Sequence, residues 1–92
     1  LKEIVVNSNS SISLQKHLHR SERWIIMSGK PRITINRNKF YGKKNNDFFI
    51  PKRAVHRIEN FYKEDVKIAE VQIGTILKET DIKRFSDIYG RK

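Results

Sequence analysis

All three histidines of this chain lie in two short polar segments that have the residue types of a metal site. One segment runs from Gln15 to Glu22 and includes two of the histidines, and the other contains the third. Imidazole nitrogens and carboxylate oxygens suit Zn, Mn, Fe, Co or Ni as divalent cations. The sequence therefore predicts a metal site built from both segments. The candidate ligands are Gln15, His17, His19, Glu22 and His56.

The spacing within the first segment is that of a β-strand whose polar side chains share one face. Residues two apart in a strand point to the same side, so Gln15, His17 and His19 would project together. A tight turn ending at Glu22 would let that carboxylate approach from the adjacent strand, while His56 comes from a distant one. Gln15 could instead support a ligand without touching the metal. The ordinary alternative is an exposed polar face for the first two histidines and a hydrogen-bonded core position for His56.

Short runs of alternating apolar and polar residues, separated by turn residues, predict an all-β barrel or sandwich. The last stretch differs, because Thr80 is a typical helix N-cap and Ile82 and Phe85 begin an apolar stripe of helical spacing that ends at Gly90. We therefore predict a small barrel with a short C-terminal helix. The predicted strands cover residues 1–6, 12–19, 23–27, 32–36, 40–41, 48–50, 55–61, 66–73 and 76–77.

The 92 residues suffice for a single domain with one small core. Cysteine is absent, which excludes thiolate ligands, and no apolar run approaches the ~20 residues of a membrane span, so no membrane partner is expected. The net charge of +10 favours an anionic partner such as a phosphorylated metabolite, or else reflects solvated lysines. The basic residues are scattered and do not alternate with aromatic ones, so we expect no nucleic-acid partner. Because strand-like sequence begins at Leu1, which is not Met, we expect residues 1–92 to be one domain of a longer protein.

Two motifs in this sequence resemble those of the cupin superfamily, whose members are jelly-roll barrels, also called double-stranded β-helices. The first motif is His-x-His followed by Glu, six residues and Gly, and the second is Pro-x-Gly-x-x-His-x-x-x-Asn. Arg53 takes the glycine position of the second motif, where it would strain the turn if the backbone there needs a positive φ. The matching residues are His17, His19, Glu22, Gly29, Pro51, Arg53, His56 and Asn60.

One branch of the superfamily is a closer match, because residues 13–17, 20–24, 50–51, 56–60, 70–74 and 81–91 look like the type II mannose-6-phosphate isomerases. The run Arg-Phe-x-Asp-x-Tyr-Gly-Arg that ends at Arg91 is specific, since generic cupins lack it. In that family the domain is usually the C-terminal part of a bifunctional bacterial protein, whose N-terminal part is a mannose-1-phosphate guanylyltransferase.

The first motif departs from the family at Leu18, which replaces the middle one of three consecutive histidines. Two registers stay open as a result. In one, His17 and His19 are the ligands, as the strand alternation suggests. In the other, position 18 is a ligand position, and this chain has lost that ligand.

The resemblance implies a metal-dependent interconversion of mannose 6-phosphate and fructose 6-phosphate, with Zn, Mn or Co as the cofactor. Glu22, if it is not a ligand, and Glu70 are the candidate catalytic bases, and arginines would hold the substrate phosphate. The resemblance further implies a cytoplasmic enzyme of GDP-mannose and polysaccharide biosynthesis, joined to a nucleotidyltransferase domain and able to form homodimers. The candidate phosphate-binding residues are Arg20, Arg57, Arg84 and Arg91.

Two other functions stay open. The first is a non-catalytic cupin module that binds a sugar phosphate or stabilises its guanylyltransferase partner, which Leu18 and Arg53 favour. The second is a metal-free, epimerase-like cupin. That chemistry needs a His–Asp dyad, and no aspartate lies near the histidines in sequence.

Overall fold

The computed structural model describes residues 1–85, and its regular elements over that range are β-strands. The strands form two antiparallel sheets around one core, so the predicted all-β jelly-roll barrel is confirmed. Within the described range there is no helix long and apolar enough to cross a membrane. The strands are β1 (Lys2–Val6), β2 (Ser10–Ser11), β3 (Leu14–Lys16), β4 (Arg20–Ser28), β5 (Arg32–Ile35), β6 (Asn38–Tyr41), β7 (Asp47–Ile50), β8 (His56–Asn60), β9 (Val66–Gly74) and β10 (Lys83–Phe85).

Neighbouring strands in both sheets are mostly far apart in sequence. One sheet has the order β1-β9-β4-β7, and the other has the order β10-β3-β8-β5-β6, with β2 also paired to β8. The strand β9 therefore joins the first strand of the chain to β4, and β8 joins β3 to β5. This topology brings the two histidine-containing segments to adjacent strands of one sheet.

The interior of the barrel changes from apolar to polar along its length. On β4 the inward positions run from Arg20 and Glu22 to Trp24 and Ile26. On β9 the same alternation runs from Val66 and Ile68 to Glu70 and Gln72. The two sheets thus enclose a hydrophobic core at one end and a group of polar side chains at the other. The core consists of Val6, Trp24, Ile26, Ile33, Ile50, Ala54, Ile58, Val66 and Ile68.

Two turns have a backbone that favours glycine. Gly29 has a φ of 85°, and a Cβ atom there would lie 2.8 Å from the carbonyl oxygen of Asp65, so a side chain is excluded. Arg53 has a φ of 71°, which confirms that the glycine position of the second motif needs a positive φ. Among residues 1–85, the other non-glycine residues with positive φ are asparagines, which tolerate this conformation better than arginine does. They are Asn9, Asn36 and Asn45.

The predicted C-terminal helix is wrong over its described part. Residues 83–85 form β10, because their backbone pairs with β3, and Asp81 bonds to a distant loop instead of beginning a helix. Positions 88–90 of that prediction lie outside the described residues. Three further differences concern the strands. The strand predicted over 12–19 ends at Lys16, and the turn predicted before Glu22 is already the start of β4, while residues 76–77 form no strand.

We expect the substitution Arg53→Gly to stabilise the fold. Glycine relieves the strain that the left-handed conformation imposes on a residue with a side chain. Its greater freedom in the unfolded chain offsets only part of this stabilisation, so Tm should rise by about 2 to 6 °C. The backbone N–H of residue 53, which donates to the carbonyl of His17 at 2.8 Å, is retained. Thermal unfolding followed by circular dichroism measures the change.

The matched control is Arg37→Gly, a turn arginine outside the positive-φ group. In this variant, glycine makes the unfolded chain more flexible but relieves no backbone strain in the folded chain, so Tm should fall. Equal shifts in the two variants would contradict the assignment of strain to position 53.

Candidate metal centre

Three side chains that can bind a metal meet at the polar end of the barrel. His17, Glu22 and His56 are all buried, and one ligand atom from each lies within 4.8 Å of the other two. Glu22 comes from β4, His56 begins β8, and His17 follows the end of β3. Gln15 stands opposite His56 in the ladder between β3 and β8 and lines the same pocket. The structure therefore brings three of the five predicted ligands within metal-binding distance of one another and places a fourth, Gln15, along the same pocket.

A backbone carbonyl holds each of the two imidazoles. Nδ1 of His17 donates to the carbonyl oxygen of Asp81 at 2.5 Å, and Nδ1 of His56 donates to that of Ala54 at 2.9 Å. Each Nε2 is left unprotonated in this tautomer, which is the form that binds a metal. Burial also lowers the pKa of His56, which keeps this imidazole neutral.

The Glu22 carboxylate is 1% exposed and is bonded on both oxygens. Trp24 donates its Nε1–H to Oε1 at 3.0 Å, and Arg20 donates its Nε–H to Oε2 at 2.8 Å. Burial alone would raise the pKa of Glu22, but hydrogen bonds from Glu70 and Arg20 lower it below its ordinary value. Glu22 is therefore a carboxylate at neutral pH, as a metal ligand must be.

The Arg20 guanidinium contacts the same atoms that a metal would use. Besides its bond to Glu22, it donates from Nη2 to Nε2 of His17 at 3.2 Å and from Nη1 to the carbonyl of Lys78 at 3.4 Å. The donor set of two oriented imidazoles and one carboxylate fits a divalent cation. Such a cation would compete with Arg20 for His17 and Glu22.

Glu70 forms a carboxyl pair with Glu22 across β4 and β9. It is 6% exposed and lies on the inward face opposite Trp24. Burial, the hydrogen bond with Glu22 and the charge of Glu22 raise the pKa of Glu70 to about 7. The shared proton therefore resides on Glu70, and this carboxyl can gain or lose a proton near neutral pH.

A pocket of about 340 Å³ opens beside these groups. Arg84 of β10 and Lys2 of β1 line it with cationic side chains, and Gln72 adds an amide. Glu79 forms an ion pair with Lys2 at the same pocket. The cavity thus combines cations that can hold an anion with a carboxyl that can exchange protons.

His19 lies outside this group. Its side chain is exposed and lines a separate pocket with Leu18 and Lys78. The expected alternation does not reach this residue because β3 ends at Lys16, and the loop that follows turns the histidine away. His17 thus lies in the cluster, while Leu18 and His19 line the separate pocket.

Two of the four predicted phosphate-binding arginines line the pocket, namely Arg20 and Arg84. Arg57 does not, because it alternates with His56 on β8 and faces a pocket formed with Leu14 and Thr34. Its Nε donates to the carbonyl of Ile12 at 3.3 Å. Arg91 lies outside the described residues.

Sequence reasoning missed four residues of the site. Lys2 and Gln72 could have been found by strand alternation, because each lies two residues from an inward-facing neighbour on its strand. Trp24 was expected in the core, and it is buried there. Its hydrogen bond to Glu22 was missed because it requires both side chains to point inward from β4. Asp81 carries no local signal, since its partners are 62 to 64 residues away.

Residues 1–87 match the family model described as mannose-6-phosphate isomerase C-terminal. The alginate biosynthesis protein AlgA of Pseudomonas putida is 45% identical over 99% of this chain and 19% of its own length. The xanthan biosynthesis protein XanB of Xanthomonas campestris is 40% identical over 99% of this chain and 20% of its own length. The mannose-1-phosphate guanylyltransferase ManC of Salmonella typhimurium is 38% identical over 99% of this chain and 19% of its own length. The chain thus spans about a fifth of the length of these relatives.

Solved structures show the same fold. The Cnp3 cupin domain of Schizosaccharomyces pombe superposes with a TM-score of 0.73 at 23% identity, over 79% of this chain and 50% of that one. A predicted oxalate decarboxylase from Thermotoga maritima gives a TM-score of 0.74 at 25% identity, over 79% and 64%. The barrel is therefore a cupin, and the chain belongs to the mannose-6-phosphate isomerase C-terminal family.

Proposed function

We propose that this chain is a metal-dependent isomerase domain that interconverts mannose 6-phosphate and fructose 6-phosphate. The observation that carries the proposal is the cluster of His17, Glu22 and His56 beside Glu70, a carboxyl whose pKa is raised to about 7. An aldose–ketose isomerase needs a group that accepts and returns a proton near neutral pH, and family membership supports this reaction over others.

Glu70 is the proposed catalytic base. In its ionised form it takes the proton from C2 of mannose 6-phosphate, and the electrons of that bond form the C1–C2 double bond of an enediolate. The proton of the C2 hydroxyl passes to the oxygen on C1 as the C2 carbonyl forms, and Glu70 returns its proton to C1. We assign Glu22 to the metal and not to proton transfer, because a carboxylate that binds the cation is not available to accept a proton from the substrate.

The metal would be held by Nε2 of His17, Nε2 of His56 and the Glu22 carboxylate, with Gln15 as a further oxygen donor. We propose Zn, Mn or Co on the basis of this mixed donor set. When bound, such a cation polarises the carbonyl and hydroxyl oxygens of the sugar as a Lewis acid. The carbonyl bonds at the two Nδ1 atoms orient both rings for that purpose.

The size and charge of the pocket suit a hexose phosphate. Its volume of about 340 Å³ lies at the small end of the range for ligand sites. Arg84 and Lys2 can hold the phosphate, and Arg20 can join them once a metal takes its place beside Glu22. Arg57 has no part in this proposal, because its side chain faces another pocket.

We further propose that the domain works within a longer polypeptide that also carries a nucleotidyltransferase domain. The relatives are about five times longer than this chain, and one is named as a mannose-1-phosphate guanylyltransferase. Two others are named for alginate and xanthan biosynthesis. Such a protein would supply GDP-mannose for polysaccharide synthesis in the cytoplasm.

The first prediction concerns the ligands. His17→Ala and His56→Ala should each reduce isomerase activity by more than about 100-fold, because removing a ligand exceeds the usual loss from a supporting residue. His19→Ala is the matched control and should keep most of the activity, since that side chain lies outside the cluster. Conversion of mannose 6-phosphate is measured after treatment with a chelator and addition of Zn²⁺, Mn²⁺ or Co²⁺.

These assays use both the chain and the proposed longer polypeptide that contains it. If the longer polypeptide binds metal but shows no turnover, the isomerase proposal fails and a non-catalytic module is favoured. If His19→Ala is as inactive as the other two variants, the arrangement of ligands given above is wrong.

The second prediction concerns the base. Glu70→Gln should lower kcat by about 10²- to 10⁴-fold, the usual contribution of a general base. In the unchanged protein, kcat/KM should fall as the pH drops below about 7, because Glu70 then holds its proton. Glu79→Gln removes another carboxylate that lines the pocket and should retain activity. A loss of similar size in both variants would contradict the role of Glu70.

The third prediction concerns stability without metal. Because folding raises the pKa of Glu70 from 4.5 to about 7, the folded chain binds this proton more tightly than the unfolded chain. The stability from Glu70 is full below pH 4.5 and falls as the pH rises through about 7. The free energy of unfolding of Glu70→Gln, relative to that of the unchanged protein, should therefore increase by up to about 3 kcal/mol as the pH rises over that window.

Urea unfolding in the presence of a chelator, at pH values on both sides of this window, measures the difference. The exposed Glu64→Gln variant controls for the general loss of one carboxylate. A constant difference between Glu70→Gln and the unchanged protein at every pH would show that Glu70 is not protonated in the fold.

A further inference from the structure

The segment that follows β9 folds back over the histidine cluster. We call residues 78–85 the C-terminal strap. A turn closes it where the N–H of Asp81 donates to the carbonyl of Lys78 at 3.0 Å, and its end pairs with β3 as β10. The carbonyl of Lys78 also accepts a bond from Arg20. The strap is thus attached on both sides of the loop that contains His17.

Asp81 holds the backbone of that loop. Its Oδ1 accepts the N–H of Leu18 and its Oδ2 accepts the N–H of His19, both at 2.9 Å. The residue is 9% exposed. A carboxylate with so little access to water needs such partners, and two donors from consecutive residues fix the path of the loop.

The same residue also holds the His17 ring. The carbonyl oxygen of Asp81 accepts the Nδ1 proton of His17 at 2.5 Å. This bond requires the tautomer with the proton on Nδ1, and the ring then turns Nε2 toward Glu22, whose Oε2 lies 3.2 Å away. One residue therefore sets both the position of the loop and the direction of its imidazole.

His56 has a different support, which gives an internal comparison. Its Nδ1 bonds to the carbonyl of Ala54, only two residues away in the segment that leads into β8. Among the hydrogen bonds described here, none joins His56 to the strap. Loss of Asp81 should therefore affect one histidine of the cluster and leave the other unchanged.

We propose that Asp81 is a positioning residue that fixes the tautomer and direction of His17 and so prepares the cluster for a metal. The part that concerns metal affinity rests on the proposed function. The part that concerns the tautomer does not, because it describes the chain without metal. The two parts can therefore fail separately.

The test uses Asp81→Asn, which keeps the size of the side chain but leaves one backbone N–H facing an amide nitrogen. Imidazole ¹⁵N shifts, measured by NMR without metal, report the tautomer of each histidine. In the unchanged chain, His17 should show the Nδ1–H form. Asp81→Asn keeps the backbone carbonyl, but the loop loses one of the two side-chain bonds that hold it against that carbonyl. We therefore expect a mixture of tautomers at His17 and no change at His56.

Metal affinity is the second measurement. Titration with Zn²⁺ and with Co²⁺ should show affinity 10- to 100-fold weaker in Asp81→Asn, the usual effect of losing a group that orients a ligand. The matched control is Asp65→Asn, since Asp65 also accepts one backbone N–H, from Ser8 at 3.0 Å, at a distant loop. The control should keep the affinity of the unchanged chain.

The outcomes separate the proposals. A folded Asp81→Asn chain with an unchanged His17 tautomer and unchanged affinity overturns the role of Asp81. If this variant does not fold, the unchanged chain still decides, because the Nε2–H form at His17 would contradict the inference. If the unchanged chain binds neither metal while the tautomer shift occurs, the positioning role stands and the proposed metal function fails.

Discussion

The arrangement of the polar end follows from the burial of one carboxylate, that of Glu22. An ionised carboxylate in a protein interior is tolerated only when hydrogen bonds and opposite charge replace the water that it loses. Here the indole of Trp24, the guanidinium of Arg20 and the proton of Glu70 supply those interactions. Nε2 of His17 lies 3.2 Å from the same carboxylate and accepts a hydrogen bond from the Arg20 guanidinium beside it. The inner faces of β4 and β9 are therefore polar where they meet Glu22 and apolar beyond it.

Much of this arrangement can be predicted from sequence, because it depends on local periodicity. Alternation places Glu70 on the same face as Ile68 before any contact is known, whereas Glu22 was expected at a turn and lies within β4 on the face of Trp24. The same reasoning identifies the strands and the all-β class, and the residue types indicate a metal. Arg53 could also be recognised as unfavourable, since its motif calls for glycine and its φ is positive.

The errors arise where a distant partner overrides a local pattern. His19 continues the alternation of Gln15 and His17, but the strand has ended, because the N–H groups of the loop bond to Asp81 instead of a neighbouring strand. The sequence after Thr80 has the spacing of a helix, yet its backbone pairs with β3, which is more than sixty residues away. No local pattern contains such a pairing, so neither feature could be predicted from residue types and spacing.

The bond between His17 and Asp81 can form only after most of the chain has been synthesised. The two residues are 64 positions apart, so at ~5–20 residues per second the ribosome adds Asp81 roughly 3 to 13 s after His17. Throughout that interval the nascent chain has its first imidazoles but lacks the group that aims one of them, and for most of it the strand with Glu70 is also missing. A polypeptide released early would carry histidines without an assembled site. The polar cluster therefore cannot be completed until translation has reached the strap, so its geometry belongs to the finished domain and not to any shorter N-terminal fragment.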